Sequence, residues 1–229
     1  MIDKRVRRVG RRVLTVFREQ ESTALEAARF HKARCQKGCN HCCKRVVLAS
    51  LPEGIQIAER LIGEFKYQSK QAEFVNTLYK QVQFLENNSA DSAMDCAFLN
   101  SSDGGCDIYE YRPSICRYLY VVSDPNECRP NKAVSRIDLS DLEQEVWGEG
   151  DRISKQTGVP FRLVAPIPVV VLWGFKILLG GVQGLMEYLP TAPLGMQPEY
   201  WIQRLNAISA GGDTSDHVVQ ESEDEDTDK

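Results

Sequence analysis

Val6, Val9, Val13 and Phe17 recur at helical spacing, and Arg5, Arg8, Arg11, Arg12 and Arg18 fill the positions around them. Apolar residues three or four apart make one stripe on a helix. Residues 4–33 are therefore expected to form a helix that packs its valines on the body and turns its arginines to water. A second rhythm begins at "SLPE", where Ser50 and Glu53 have capping-box spacing and a proline sits in the first turn. Ile55, Ala58, Leu61, Ile62 and Phe65 continue that helix, and Phe74, Leu78, Val82 and Leu85 trace another. Just before "SLPE", "KRVVLAS" reads as a short strand, while "ENNSADSAMD" breaks the helical pattern as a loop. From residue 96, "CAFL" and "DGGCDIY" read as a hairpin around an Asp-Gly-Gly turn, and "RPSICR" opens a helical turn with Pro113 near its start.

The longest apolar stretch, residues 163–189, invites a membrane-spanning reading. Lys176 interrupts it and Pro166 and Pro168 break its beginning. With 169–189 helical, Lys176, Gln183 and Glu187 align on one narrow polar stripe, the pattern of a mostly buried helix. A span needs about 20 largely uncharged residues. The expectation is a core helix with no membrane span, leaving only peripheral contact with an anionic surface open to the arginine-rich first helix.

Composition adds an uneven charge. The chain of 229 residues carries a net charge of −4, yet residues 1–34 hold ten Lys/Arg against four Asp/Glu, and residues 211–229 hold eight acids and one lysine. The near-neutral body implies no specific nucleic-acid partner. The tail has too little apolar content to fold and is expected to be disordered. These shifts divide the chain into a basic amphipathic helix (1–34), a cysteine-bearing metal-binding domain (35–130), a C-terminal region with the apolar helix packed on that domain (131–210) and an acidic tail (211–229). The expected fold is mainly α, with a small β-hairpin and a loop-rich metal-binding centre.

The chemistry lies in the cysteines. All eight fall between 35 and 128, four of them in "CQKGCNHCC" at 35–43. No apolar signal segment opens the chain, and disulfide frameworks belong mainly to small secreted domains. The thiols are expected to be reduced, metal-binding and cytoplasmic. Thiolates are soft, charged donors for zinc and for iron–sulfur clusters. Cys35-x3-Cys39-x2-Cys42-Cys43 can wrap one ion, with Gly38 available for a positive-φ turn. Adjacent Cys42 and Cys43 rarely serve one metal together, so one of them reaches a second metal or packs as a small apolar residue. Cys96, Cys106 and Cys116 sit at the hairpin and the helix start, on elements able to fold back over the first cluster. Cys128 is the least secure ligand, and His41 is expected to be a bystander, since thiolate is the softer donor. Tyr109 and Phe98 are expected in the core. Arg112 and Arg117, flanking Cys116, are placed either to offset thiolate charge or to form salt bridges to Glu110 or Asp107.

The cluster, "CAFL" and "GCDIYEYRPSICR" together resemble the cysteine-cluster family described as zinc- or iron-chelating, which has flagellin lysine N-methylases among its relatives. The resemblance runs from residue 35 to about 120. It implies that Cys35, Cys39, Cys42, Cys43, Cys96, Cys106 and Cys116 form the metal-binding set. The family usually places two residues between its first two cysteines, where this chain has three.

Three functions remain open: a metal-binding module held together by zinc or an iron–sulfur cluster, a redox or methyltransferase-like enzyme using that centre, and a partner-binding protein using the basic helix or acidic tail. The first follows from residues in hand. The three-cysteine spacing of radical S-adenosylmethionine enzymes also occurs in "CQKGCNHC", but the helical pattern after residue 50 lacks their repeated β/α units.

Overall fold

Two glycines allow a close helix crossing. Helix α2 (Leu51–Glu64) crosses α6 (Ile167–Tyr188) where Gly54 and Gly174 meet, and a Cβ on either would fall inside the opposing backbone. Around this crossing the computed structural model describes residues 4–35, 38–64, 68–88, 93–128, 134–159, 162–210 and 218–219. Helix α1 (Lys4–Phe30) lies across α2 and against α5 (Ser140–Thr157), and α3 (Gln68–Asn87) covers another side of α6. A short α4 (Ser114–Tyr118) touches α1, and α7 (Pro198–Ala210) closes the C-terminal end. Phe17, Leu51, Ile55, Leu78 and Trp173 are buried in the shared core, and the Trp173 indole donates to the Met196 carbonyl at 2.9 Å.

The stripe on α1 packs as its spacing predicts: Val9, Val13 and Phe17 are buried, whereas Arg8, Arg11 and Arg18 face water. Arg12 instead pairs with Glu149 on α5 at 3.5 Å. Phe65 lies outside the described residues.

The sheet is small and not where the hairpin was expected. Strand β1 (Leu48–Ser50) pairs antiparallel with β3 (Val164–Pro166), with Ala49 opposite Ala165. The predicted hairpin at 96–109 reduces to one antiparallel bridge, Leu99 with Cys106. Its turn is closed by side chains instead: Asn100 accepts from the Ser102 N–H at 2.9 Å and donates to Asp107 at 3.1 Å. Such local bonds compete with a ladder. A parallel pair joins β2 (Arg136–Ile137) to β4 (Val218–Val219). The rest of the tail expected to be disordered lies outside the described residues.

The apolar helix is interrupted. Gly181 has φ 71°, so α6 kinks there, and the polar stripe expected along its whole length is broken. Its first half is buried from Ile167 to Gly174, while Leu179 and Met186 are exposed. The kink brings the Tyr188 ring to 4.2 Å from the Lys176 ammonium. By length and composition α6 with the following turn is one candidate span, Ile167–Thr191, and half of it is buried against the rest of the protein. Core helices pass the same test.

Candidate metal centre

The chain leaves α1 through Lys32, at φ 54°, and the Arg34 N–H then bonds the Val121 carbonyl at 2.8 Å. This sets Cys35 beside residues 119–121. Its sulfur accepts from the Val121 N–H at 3.4 Å and donates to the Leu119 carbonyl at 3.7 Å. Gly38, at φ 87°, turns the backbone toward Cys39, as a glycine there can. A single 3-10 turn, His41–Lys44, then carries both Cys42 and Cys43. Their thiols hydrogen-bond to each other rather than pointing apart.

The second group of cysteines is docked onto that turn by main chain. The Cys96 N–H bonds the Cys43 carbonyl at 2.8 Å, and the Met94 N–H bonds the Lys44 carbonyl at 3.3 Å. The Leu99 bridge carries Cys106, and Cys116 sits in the first turn of α4, its N–H bonded to the Pro113 carbonyl at 3.0 Å. Cys128 follows a 3-10 turn, Pro125–Glu127, capped by Asp124. All eight cysteines are free. Among the described residues no three His, Cys, Asp or Glu side chains converge closely enough to hold an ion. The thiols share one region without meeting at a point.

Burial disfavours the thiolate form. It pushes Cys96 and Cys128 up to about 11 and raises Cys35, Cys106 and Cys116. Cys42 goes the other way, down to about 7, chiefly because Cys43 donates to it; the same bond holds Cys43 protonated. The Arg112 guanidinium is the cation these thiols share, favouring the charged form of Cys35, Cys42, Cys106 and Cys116.

The two arginines divide the roles that the sequence left open. Arg117 is buried and structural: it donates to the carbonyls of Arg112 at 3.0 Å and Glu110 at 2.6 Å, and pairs with Glu21 of α1 at 3.1 Å. Glu21 replaces both carboxylates expected as its partner. Arg112 lies 3.8 Å from Glu21 and stacks over Tyr109 at 4.1 Å, with its Nε buried and unpaired. Tyr109 is 44% exposed, not in the core; Phe98 is buried as expected. His41 lies within electrostatic reach of Asp124. Sequence reasoning missed Glu21, and it read Glu53 as a cap alone. Glu53 is buried and accepts from the N–H and hydroxyl of Ser50, both at 2.6 Å, and from the Ser114 N–H at 2.7 Å. The capping-box spacing pointed to the first contact; nothing local pointed to the second.

Comparison with known families assigns this region. Residues 34–136 match the CxxCxxCC family, described as "Putative zinc- or iron-chelating domain". The likeness to this family is confined to that segment, a little under half of the chain. No curated protein and no solved structure matches the chain. The matched CxxCxxCC segment runs past residue 120 and so includes Cys128. The chemistry of the donor set fits a soft metal: the segment holds eight free thiols, Arg112 favours the charged form of four of them, and its unpaired Nε is a donor in want of an anionic acceptor such as a metal-bound sulfur. The segment also takes supports from outside its own limits, Glu21 before it and α6 after it.

Proposed function

We propose that the CxxCxxCC-like segment binds zinc or an iron–sulfur cluster through Cys35, Cys39, Cys42, Cys43, Cys96, Cys106 and Cys116, and that the metal chiefly holds this loop-rich segment together. The observation that carries this reading is the main-chain bond from Cys96 to Cys43, which joins the two sequence-distant cysteine groups at 2.8 Å. Thiolate sites of this kind contribute folding energy directly. Outside α2, α3 and β1, the described residues around the thiols form short helical turns and a single bridge, so cross-linking by metal adds rigidity where secondary structure supplies least. The chain works in the reducing cytoplasm, where the thiols stay available to metal.

The test is metal analysis with a visible spectrum on the full chain purified anaerobically without chelator. Stoichiometric zinc with no visible band identifies a zinc site, and broad absorbance near ~400 nm with iron and sulfide identifies a cluster. Less than about a tenth of an equivalent of either metal overturns the reading, since a structural thiolate site stays loaded.

A further inference from the structure

A groove of about 700 Å³ runs between α1 and α5, outside the matched segment and away from the thiols. That volume is in the range of sites that hold small ligands. Gln20 reaches Glu145 at 2.7 Å, and Arg12 reaches Glu149 at 3.5 Å and also Gln156, so the two helices run antiparallel along it. Gly148 keeps the middle open. Nothing lies within 4 Å of where its Cβ would stand, whereas Gly54 and Gly174 are required by a backbone crossing. A glycine inside a helix is destabilising relative to alanine, and no packing contact at Gly148 accounts for it.

Charge along the groove is polarised. At one end Arg12 and Arg152 share the single carboxylate of Glu149, which leaves a positive charge over. At the other end Glu19 and Glu145 stand beside Gln20. The Gln20 amide gives its N–H to Glu145, and its carbonyl oxygen is buried with no partner among the described residues. A buried acceptor in that state calls for a donor. From Glu145 to Arg152 is seven residues of helix, about 10 Å at ~1.5 Å per residue. Three residues of extended chain cover the same length at ~3.3 Å each. Between the charged ends, Val16 and Gly148 leave an apolar floor with room for main chain and small side chains. We infer that this groove binds a short extended peptide of about three residues, its ammonium group against Gln20, Glu19 and Glu145 and its carboxylate against Arg152 and Arg12.

The probe is trialanine, titrated into the anaerobically purified full chain and followed by amide chemical shifts. Saturable binding is expected, with shifts centred on Gly148 and the Gln20 side-chain amide. N-acetylation of the peptide removes the ammonium group and should weaken binding about tenfold, the scale of a hydrogen bond to a charged group. C-terminal amidation should weaken it about two- to fivefold, the scale of a partly exposed ion pair, because Arg152 lies largely in water. Gly148→Leu fills the groove and should abolish binding, with a melting temperature no lower than that of the wild type. Arg152→Gln should weaken trialanine and leave its amide unaffected. Absence of saturation at millimolar trialanine in the wild type overturns the inference. So does binding that survives Gly148→Leu, or that neither cap weakens. None of these outcomes bears on the metal reading, which the groove does not use.

Discussion

The Glu53 carboxylate accepts from the Ser114 N–H at 2.7 Å, joining the first turn of α2 to the first turn of α4 across 61 positions of sequence. Its other oxygen accepts from the Ser50 N–H and hydroxyl, so a buried charge is satisfied by three donors. Hydrogen bonds to a charged group contribute about 1.5–3 kcal/mol each, and stranding their buried partners costs more. Glu53→Ala is expected to destabilise the fold by about 3 kcal/mol in denaturant titration, because three donors lose their acceptor. It also loosens the turn carrying Cys116, so metal dissociates faster. Glu53→Gln keeps the shape and loses less. Equal stability of Glu53→Ala and wild type contradicts the tie.

The crossing of α2 and α6 admits no side chain at Gly54 or Gly174. Overpacking a tight core contact costs about 1–3 kcal/mol, and here backbone must move, so Gly174→Ala is expected at the upper end of that range or beyond. Gly63 on the same α2 meets nothing within 4 Å and serves as the control. Thermal melts of Gly174→Ala and Gly63→Ala should separate by several degrees.

Buried thiols give the metal-free chain a definite pH dependence. Cys96 and Cys128, raised from 9.0 to about 11, favour the folded state while protonated. That stability is fully present below the unfolded value and is lost as pH rises from about 9 through about 11. Cys42, lowered to about 7, works in the opposite sense, losing its contribution as pH falls from about 9 through about 7. More thiols are raised than lowered, so the reduced, metal-free melting temperature should drop between pH 9 and 11. Binding metal releases these protons. Affinity should therefore rise with pH over the same window, measurable by competition with a chelator whose own titration is known.

Arg112 is the cation shared by Cys35, Cys42, Cys106 and Cys116, and its removal leaves their thiolates less favoured. Loss of such an outer partner typically costs about 10–100-fold in metal affinity. Arg112→Leu is expected within that range with the fold retained. Arg117→Leu should instead lower stability first, since it strands the Arg112 and Glu110 carbonyls and Glu21. Chelator competition beside denaturant titration separates the two.

Helix α6 is expected to stay out of the bilayer. Spanning places Lys176 near the centre of the apolar layer, at about 2.5–3.5 kcal/mol on insertion scales. It also exposes to lipid the Gly181 kink, where the helix leaves its regular φ/ψ. The expressed chain should fractionate as soluble at high salt. A pellet that resists carbonate and dissolves only in detergent means that α6 inserts.

Periodicity was enough for α1 and α3, because each buries a single face and the valine, leucine and phenylalanine spacing records which one; α2 was read from its capping signal and apolar spacing, although residues 51–58 are buried on every side. Helix α5 went unread: it buries only Val146, Gly150 and Ile153, too sparse a stripe to stand out. The 96–109 hairpin shrank to one bridge because Asn100 closes its own turn, an outcome decided by side-chain geometry rather than by the Asp-Gly-Gly motif. At the thiols, the family resemblance implied a set of seven cysteines and left Cys128 as the least secure ligand. Only the fold brings Cys128 beside Cys35, through the Val121 and Val134 core. Glu21 was equally out of reach, lying 96 positions from its arginine.

The α2–α6 crossing has a practical corollary. The matched segment ends at residue 136, yet Leu51 and Ile55 within it are buried in one core with Phe17 of α1 and Trp173 of α6. A fragment cut at those limits loses the aromatic anchors on both sides and also one whole strand of its sheet, β3. The metal-binding region is thus not a portable cassette. Grafting, spectroscopy and crystallisation are best planned around residues 4–219, which keep the shared core and both strand pairs.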